Sequence, residues 1–201
     1  LTGSLLGGPV RIGVVTRKAA NGDLQTEVDA RGRLTAEALR PAARLPVNAG
    51  IAGSADWHGV LTMDRSADRK LPATGQLRVS SDLRGLASDL PKPFAKVAEA
   101  ARPLSIGVSF GAGSVPRVEA RLGRDVQALL QWRQRPEDPP VRRGIVVFGG
   151  AAPAALPDAD GLWLTGRLDE TSLSDILELR WDRLSPAVKE NLRARLRAAE
   201  A

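Results

Sequence analysis

The stretch Leu104-Ser105-Ile106-Gly107-Val108-Ser109-Phe110 decides the fold. Its apolar side chains fall on alternate positions with Ser and Gly between them, a period of two that belongs to a strand with one dry face. Working outward, Gln76 to Leu83 repeats the pattern: Leu77, Val79, Ser81 and Leu83 share one face, and Gln76, Arg78, Ser80 and Asp82 share the other. Leu24, Thr26, Val28 and Ala30 alternate with Gln25, Glu27, Asp29 and Arg31, which gives this strand a charged outer face. Further strands are predicted at Val10 to Thr16, Ala55 to Met63, Val115 to Leu122, Val126 to Trp132, Val141 to Phe148 and Leu162 to Leu168, with Trp57, Leu61 and Met63 on one side of theirs.

Turn residues stand between these runs, including Asn21-Gly22, Gly111-Ala112-Gly113, Gly149-Gly150 and Pro157 to Gly161. No long helix intervenes. The expected fold is therefore mainly β, an antiparallel meander with short helices, which the pattern alone allows either to pack as an ordinary sandwich or to form a curved, groove-like sheet. Helical spacing is confined to Thr35 to Leu39, to Pro93 to Ala101, and to a C-terminal stretch in which Leu173, Ile176, Leu177, Trp181 and Leu184 precede a basic helix begun by Ser185-Pro186. The chain thus divides into a β-rich segment, 1–170, and C-terminal helices, 171–201, packing on or flanking the sheet.

The 201 residues hold 29 Lys plus Arg against 23 Asp plus Glu, one His and no Cys. Without thiols there is no disulfide framework and no Cys-ligated metal, and a lone His58 removes His-pair sites, so no metal or other cofactor is expected. Arg residues are scattered and mostly matched by acids along the strands, which does not fit a nucleic-acid surface. The chain opens at Leu1 without a signal peptide and contains no apolar run of transmembrane length, so it reads as an internal piece of something longer.

One catalytic pattern is present. Gly107-Val108-Ser109-Phe110-Gly111 fits G-x-S-x-G, the nucleophile elbow of hydrolases. The context opposes it, because Ser109 lies inside the clearest strand, no helix follows, and the single His precedes the Ser. His58 reads as an outward polar residue alternating with Trp57, and Asp158-Ala159-Asp160-Gly161 reads as a turn lacking the later ligands of a calcium loop. No enzymatic role is expected.

The alternation itself remains. A wide sheet with one continuous dry face must cover it with a second sheet, with helices, or with something from outside. The sequence offers few covering helices. Either an ordinary packed core or a surface for an apolar ligand satisfies this requirement.

The residues also carry a resemblance. Ala55-Asp-Trp57-His-Gly59-Val-Leu61-Thr-Met63, then Leu77-Arg-Val79-Ser-Ser81-Asp-Leu83-Arg-Gly85-Leu-Ala-Ser-Asp-Leu90-Pro-Lys-Pro93-Phe-Ala-Lys96, then Arg102-Pro-Leu104, closely resemble the central region of the YhdP proteins, AsmA-like envelope proteins of Gram-negative bacteria. The resemblance runs from about Leu5 to Leu179. It departs at Phe94, where the family usually has Leu, and near Ile176, where it often has Trp.

That resemblance implies a periplasmic trough of β-sheet, anchored in the inner membrane by an N-terminal helix outside this sequence. It also implies a role in moving phospholipid toward the outer membrane and in keeping the permeability barrier, with acyl chains on the dry face and headgroups toward solvent. On that expectation Trp57, Leu61, Met63, Leu77, Val79, Leu83, Leu104, Ile106, Val108 and Phe110 form the floor for the acyl chains. Pro93 would start the helix that carries Phe94 and Val97. The competing expectation is a scaffold or regulator whose dry face is closed by its own helices and which binds other envelope proteins.

Overall fold

The computed structural model describes residues 1–42, 50–68, 73–111, 113–132 and 141–167. Within them lie β1 (Thr2–Leu5), β2 (Gly8–Lys18), β3 (Leu24–Thr35), α1 (Ala36–Ala42), β4 (Ile51–Arg65), β5 (Thr74–Ser81), β6 (Leu86–Ser88), β7 (Leu104–Gly111), β8 (Ser114–Leu122), β9 (Val126–Trp132), β10 (Val141–Phe148) and β11 (Gly161–Gly166). The strands make one mixed, 11-stranded sheet in the order β1-β2-β3-β4-β5-β7-β8-β9-β10-β11, with β6 paired to β4 off that path. The sheet does not close into a barrel. Strands β1 and β11 remain its two edges.

Short connections dictate most of this order. The Asn21-Gly22 turn closes β2 onto β3: Gly22 takes a φ of 87° open to glycine, and the Ala19 amide donates to the Asp23 carbonyl at 2.8 Å. Such two- to five-residue links leave consecutive strands no alternative to antiparallel pairing.

The last pair departs from the expected meander. Strands β10 and β11 are parallel, with Ile145 beside Trp163 and Val146 beside Leu164. Residues 149–160, expected as a turn between antiparallel strands, instead cross back over the sheet. A parallel pair requires a connection of about a dozen residues, and this one is tied down where Gln127 Nε2 donates to the Gly150 carbonyl at 2.7 Å and Arg143 Nη1 to that of Pro157 at 3.4 Å.

Four further expectations are corrected or fall outside the described residues. The strand expected over Gln76 to Leu83 ends at Ser81. Leu83 sits in a turn at φ 53°, where the Ser81 hydroxyl accepts its amide at 3.0 Å. Pro93 to Ala101 is not a helix, because alternate prolines at 91 and 93 remove amide donors and push the preceding residues toward extended backbone. Instead Ser88 and Lys96 exchange two backbone hydrogen bonds of 2.8 Å. The strand expected to Leu168 ends at Gly166, and the C-terminal helices over 171–201 lie outside the described residues.

The main packed core lies at one end of the sheet, the capped end, while Val126, Leu129, Val147 and Phe148 are buried apart from it on β9 and β10. At the capped end Val10, Leu34, Ala36, Ile51, Ala55, Trp57 and Leu86 are buried together, with Leu6, Ile12, Ala30, Leu39, Val79 and Leu90 packed against them. The cap over them is α1, β6 and the segment up to residue 103. Thr35 precedes α1 and its hydroxyl accepts the Ala38 amide at 3.4 Å, an N-cap contact. The cap segment then reaches across the sheet until the Phe94 ring meets Phe148 of β10 edge to face, with centroids 6.4 Å apart at 86°.

Candidate functional site: an apolar sheet face

Directly opposed residues of a ladder point to the same side of the sheet, so register fixes what each face carries. One row reads Val14, Val28, Leu61, Leu77, Val108, Val118, Leu130, Gly144 and Leu162 from β2 to β11. The next row toward the cap reads Ile12, Ala30, Gly59, Val79, Ile106, Ala120, Ala128, Val146 and Leu164. Neither row holds a polar side chain. At about 4.8 Å per strand, each spans roughly 38 Å.

The opposite face is charged over most of its width. Asp29, Arg31, Arg33, Asp56, His58, Arg78, Arg117, Glu119 and Arg121 occupy it, alternating with the apolar set. Arg33 lies 3.4 Å from Asp56, and Arg117 3.4 Å from Glu119. His58 Nε2 meets Asp29 Oδ2 at 2.6 Å. That hydrogen bond is the main cause holding the Asp29 carboxyl below its ordinary value, with the charges of His58 and Arg31 acting in the same direction. A depression of about 1520 Å³ hollows this charged face at the capped end, reached by Arg11, Asp29, Arg31, Asp56, His58 and Ser105.

Of the floor residues named from the sequence, Leu61, Leu77, Val79, Ile106 and Val108 fall in the two apolar rows, and all five are half-buried. Met63 and Phe110 flank Gly75 in a third row toward the open end, where the Phe110 ring fills the space a Cβ on Gly75 would need. Leu104 and Trp57 lie toward the cap. Trp57 is only 8% exposed, so it belongs to the packed core and not to the open face. Leu83 is off the sheet.

The cap was not legible from periodicity, and it determines how far the apolar face stays open. Lys96 holds it: its Nζ donates to the carbonyls of Leu86 at 2.7 Å, Val97 at 2.9 Å and Ala98 at 3.3 Å. Burial is the main influence lowering this ammonium's pKa. The ammonium adds a donor to the Val97 and Ala98 carbonyls, which also accept the Ala100 and Gly85 amides, and gives the Leu86 carbonyl its partner. Only the spacing of Ser88, Pro91, Pro93 and Lys96 hinted at a fixed irregular segment.

Other sequence patterns resolve into structure. Ser109 stands mid-strand opposite Arg117 on the polar face, and β7 turns directly into β8, so the G-x-S-x-G run is not a strand-to-helix elbow. Asp160 lies 3.2 Å from the Arg142 guanidinium. Among the described residues there is no cluster of side chains able to hold a metal ion, and no helix is long and apolar enough to cross a membrane.

An open sheet with two apolar rows on one side and ion pairs on the other defines the class: a mainly β protein built on one wide, unclosed sheet. The chain belongs to the YhdP family: the family model described as "YhdP protein" matches residues 1–199. Membership suggests an AsmA-like envelope protein of a non-enzymatic kind. No curated protein and no solved structure matches the chain.

Proposed function

We propose that this chain is a segment of a periplasmic, inner-membrane-anchored AsmA-like protein that carries phospholipid along its apolar sheet face, between inner and outer membrane, in support of the permeability barrier. One observation carries the reading: two adjacent rows without a polar side chain run across nine strands and stay half-exposed in their middle. A surface of that size is costly to leave in water, at about 25 cal/mol per Å². Acyl chains covering it meet no fixed hydrogen bond, so displacement along the rows breaks none.

The envelope-scaffold reading rests on a different observation, the core at the capped end, where the chain covers its own dry face. The two readings separate by experiment. Photo-crosslinkers at Ile106 or Val108 should label phospholipid in the envelope, those at Ser105 or Ser109 should not, and mass spectrometry should find phospholipid after gentle purification. Labelling that is equal from both faces, or a protein adduct in place of lipid at Val108, sinks the lipid-carrier reading.

A further inference from the structure

Among the described residues, register brings charge onto the apolar face at its open end. Lys18, the last residue of β2, and Arg65, the last of β4, both stand in register with Leu24, the first of β3. All three therefore point to the apolar side, at the open end and opposite the cap. Two strand spacings separate the cations, roughly 10 Å between Cα atoms, a gap that two long side chains can close over Leu24.

Both cations and Leu24 are exposed. The carboxylates nearby are engaged elsewhere. Asp23 accepts the Ala67 amide at 2.8 Å and the Asn21 side chain at 2.7 Å, and Asp64, on the charged face, accepts Gln25 Nε2 at 2.8 Å. Among the described residues no ion pair involves Lys18 or Arg65. A depression of about 610 Å³ at this rim touches both and wraps round the strand ends to the charged face, where Arg17, Asp23 and Asp64 also line it.

We propose that Lys18 and Arg65 hold the anionic phosphate headgroup of a phospholipid whose acyl chains lie along the strands from Leu24 toward the cap. The inference rests on the lipid-carrier reading and gives the lipid an orientation. From Leu24 to Ala30 the strand runs about 20 Å, against roughly 15 Å for one leaflet of a bilayer's hydrocarbon core. The cap closes the other end of that lane, so the tail enters toward Trp57 and the head stays at the rim. A phosphate between an ammonium and a guanidinium gains charge-assisted hydrogen bonds that a neutral headgroup lacks.

The test uses three probes below their micelle concentrations: palmitoyl-lysophosphatidylglycerol, monopalmitoylglycerol and inorganic phosphate. The phosphate-bearing amphiphile should bind about tenfold more tightly than the neutral one, and the K18Q/R65Q double variant should abolish that difference while binding monopalmitoylglycerol as before. R31Q/R33Q, on the charged face, should leave the difference intact. If the difference survives in K18Q/R65Q, the headgroup site is wrong though the apolar face stands. If inorganic phosphate alone binds as tightly as the amphiphile and loses affinity equally in K18Q/R65Q, the site serves free phosphate and the lipid orientation is overturned. If neither amphiphile binds the unaltered chain, the carrier reading itself fails.

Discussion

The Trp57 indole sits directly on Gly32: a Cβ built on that glycine would lie 3.1 Å from both Cζ2 and Nε1 of the ring and 2.8 Å from the Pro9 carbonyl oxygen. The two residues are cross-strand partners of β3 and β4. The indole Nε1 is buried with no hydrogen-bond partner among the described residues, so this contact is one of packing. Gly32→Ala must move backbone as well as ring, and we expect it to cost about 2 kcal/mol, read as a lower urea midpoint at unchanged m-value.

Lys96→Met keeps the stem of the side chain and removes its donors. The carbonyls of Leu86, Val97 and Ala98 then lose a shared partner, and the expected cost is about 2 kcal/mol. Amide hydrogen exchange should accelerate at Gly85 and Ser88, whose bonds tie the cap to itself. Exchange there at the unaltered rate would show that Lys96 does not hold the cap.

Phe94→Ala removes the edge-to-face contact with Phe148. Such a pair is worth about 1 kcal/mol beyond its buried area. The cap should loosen at the β10 side while β6 stays paired with Ile51, Ala52 and Gly53. Exchange should therefore quicken around Phe148 and Lys96 and stay slow in β3 and β4.

Acid should weaken the chain in a defined window. The carboxyls of Asp29 and Asp23 are held below their ordinary value of 3.8, Asp29 first by its hydrogen bond to His58 and Asp23 first by the Ala67 amide. A depressed carboxyl contributes stability that is complete above its unfolded value and is lost as pH falls through the folded one. Melting temperature should be flat from neutrality to about pH 5 and drop below about pH 4, with a shallower drop in Asp29→Asn. A steep loss above pH 5 would point to a different group.

What the sequence made legible is what period two encodes. Strands β9 and β10 begin and end where alternation placed them, at Val126–Trp132 and Val141–Phe148, and the rows through Leu77 and Val108 follow from alternation once neighbours pair. The cap carries no period. Its shape comes from prolines that break a helix and from one lysine bonding three carbonyls, and such contacts are between residues that no local pattern joins. Four-residue β1 and three-residue β6 were too short for a pattern to declare itself. The parallel setting of β11 depended on where residues 149–160 anchor, on Gln127 and Arg143, which are distant in sequence. The cations at Lys18 and Arg65 lie beyond the strands expected at Val10 to Thr16 and Ala55 to Met63, and only register sets them either side of Leu24.

Because the sheet stays open, its reach and its width are set by different parts of the chain. A closed barrel fixes both with one strand number. Here each additional strand lengthens the dry face by about 4.8 Å and leaves its breadth alone, while the breadth answers to the length of the strands and to how far the cap extends over them. Insertion or loss of a strand pair would thus alter how far the surface runs without altering what fits across it, and a change confined to residues 84–103 would do the reverse.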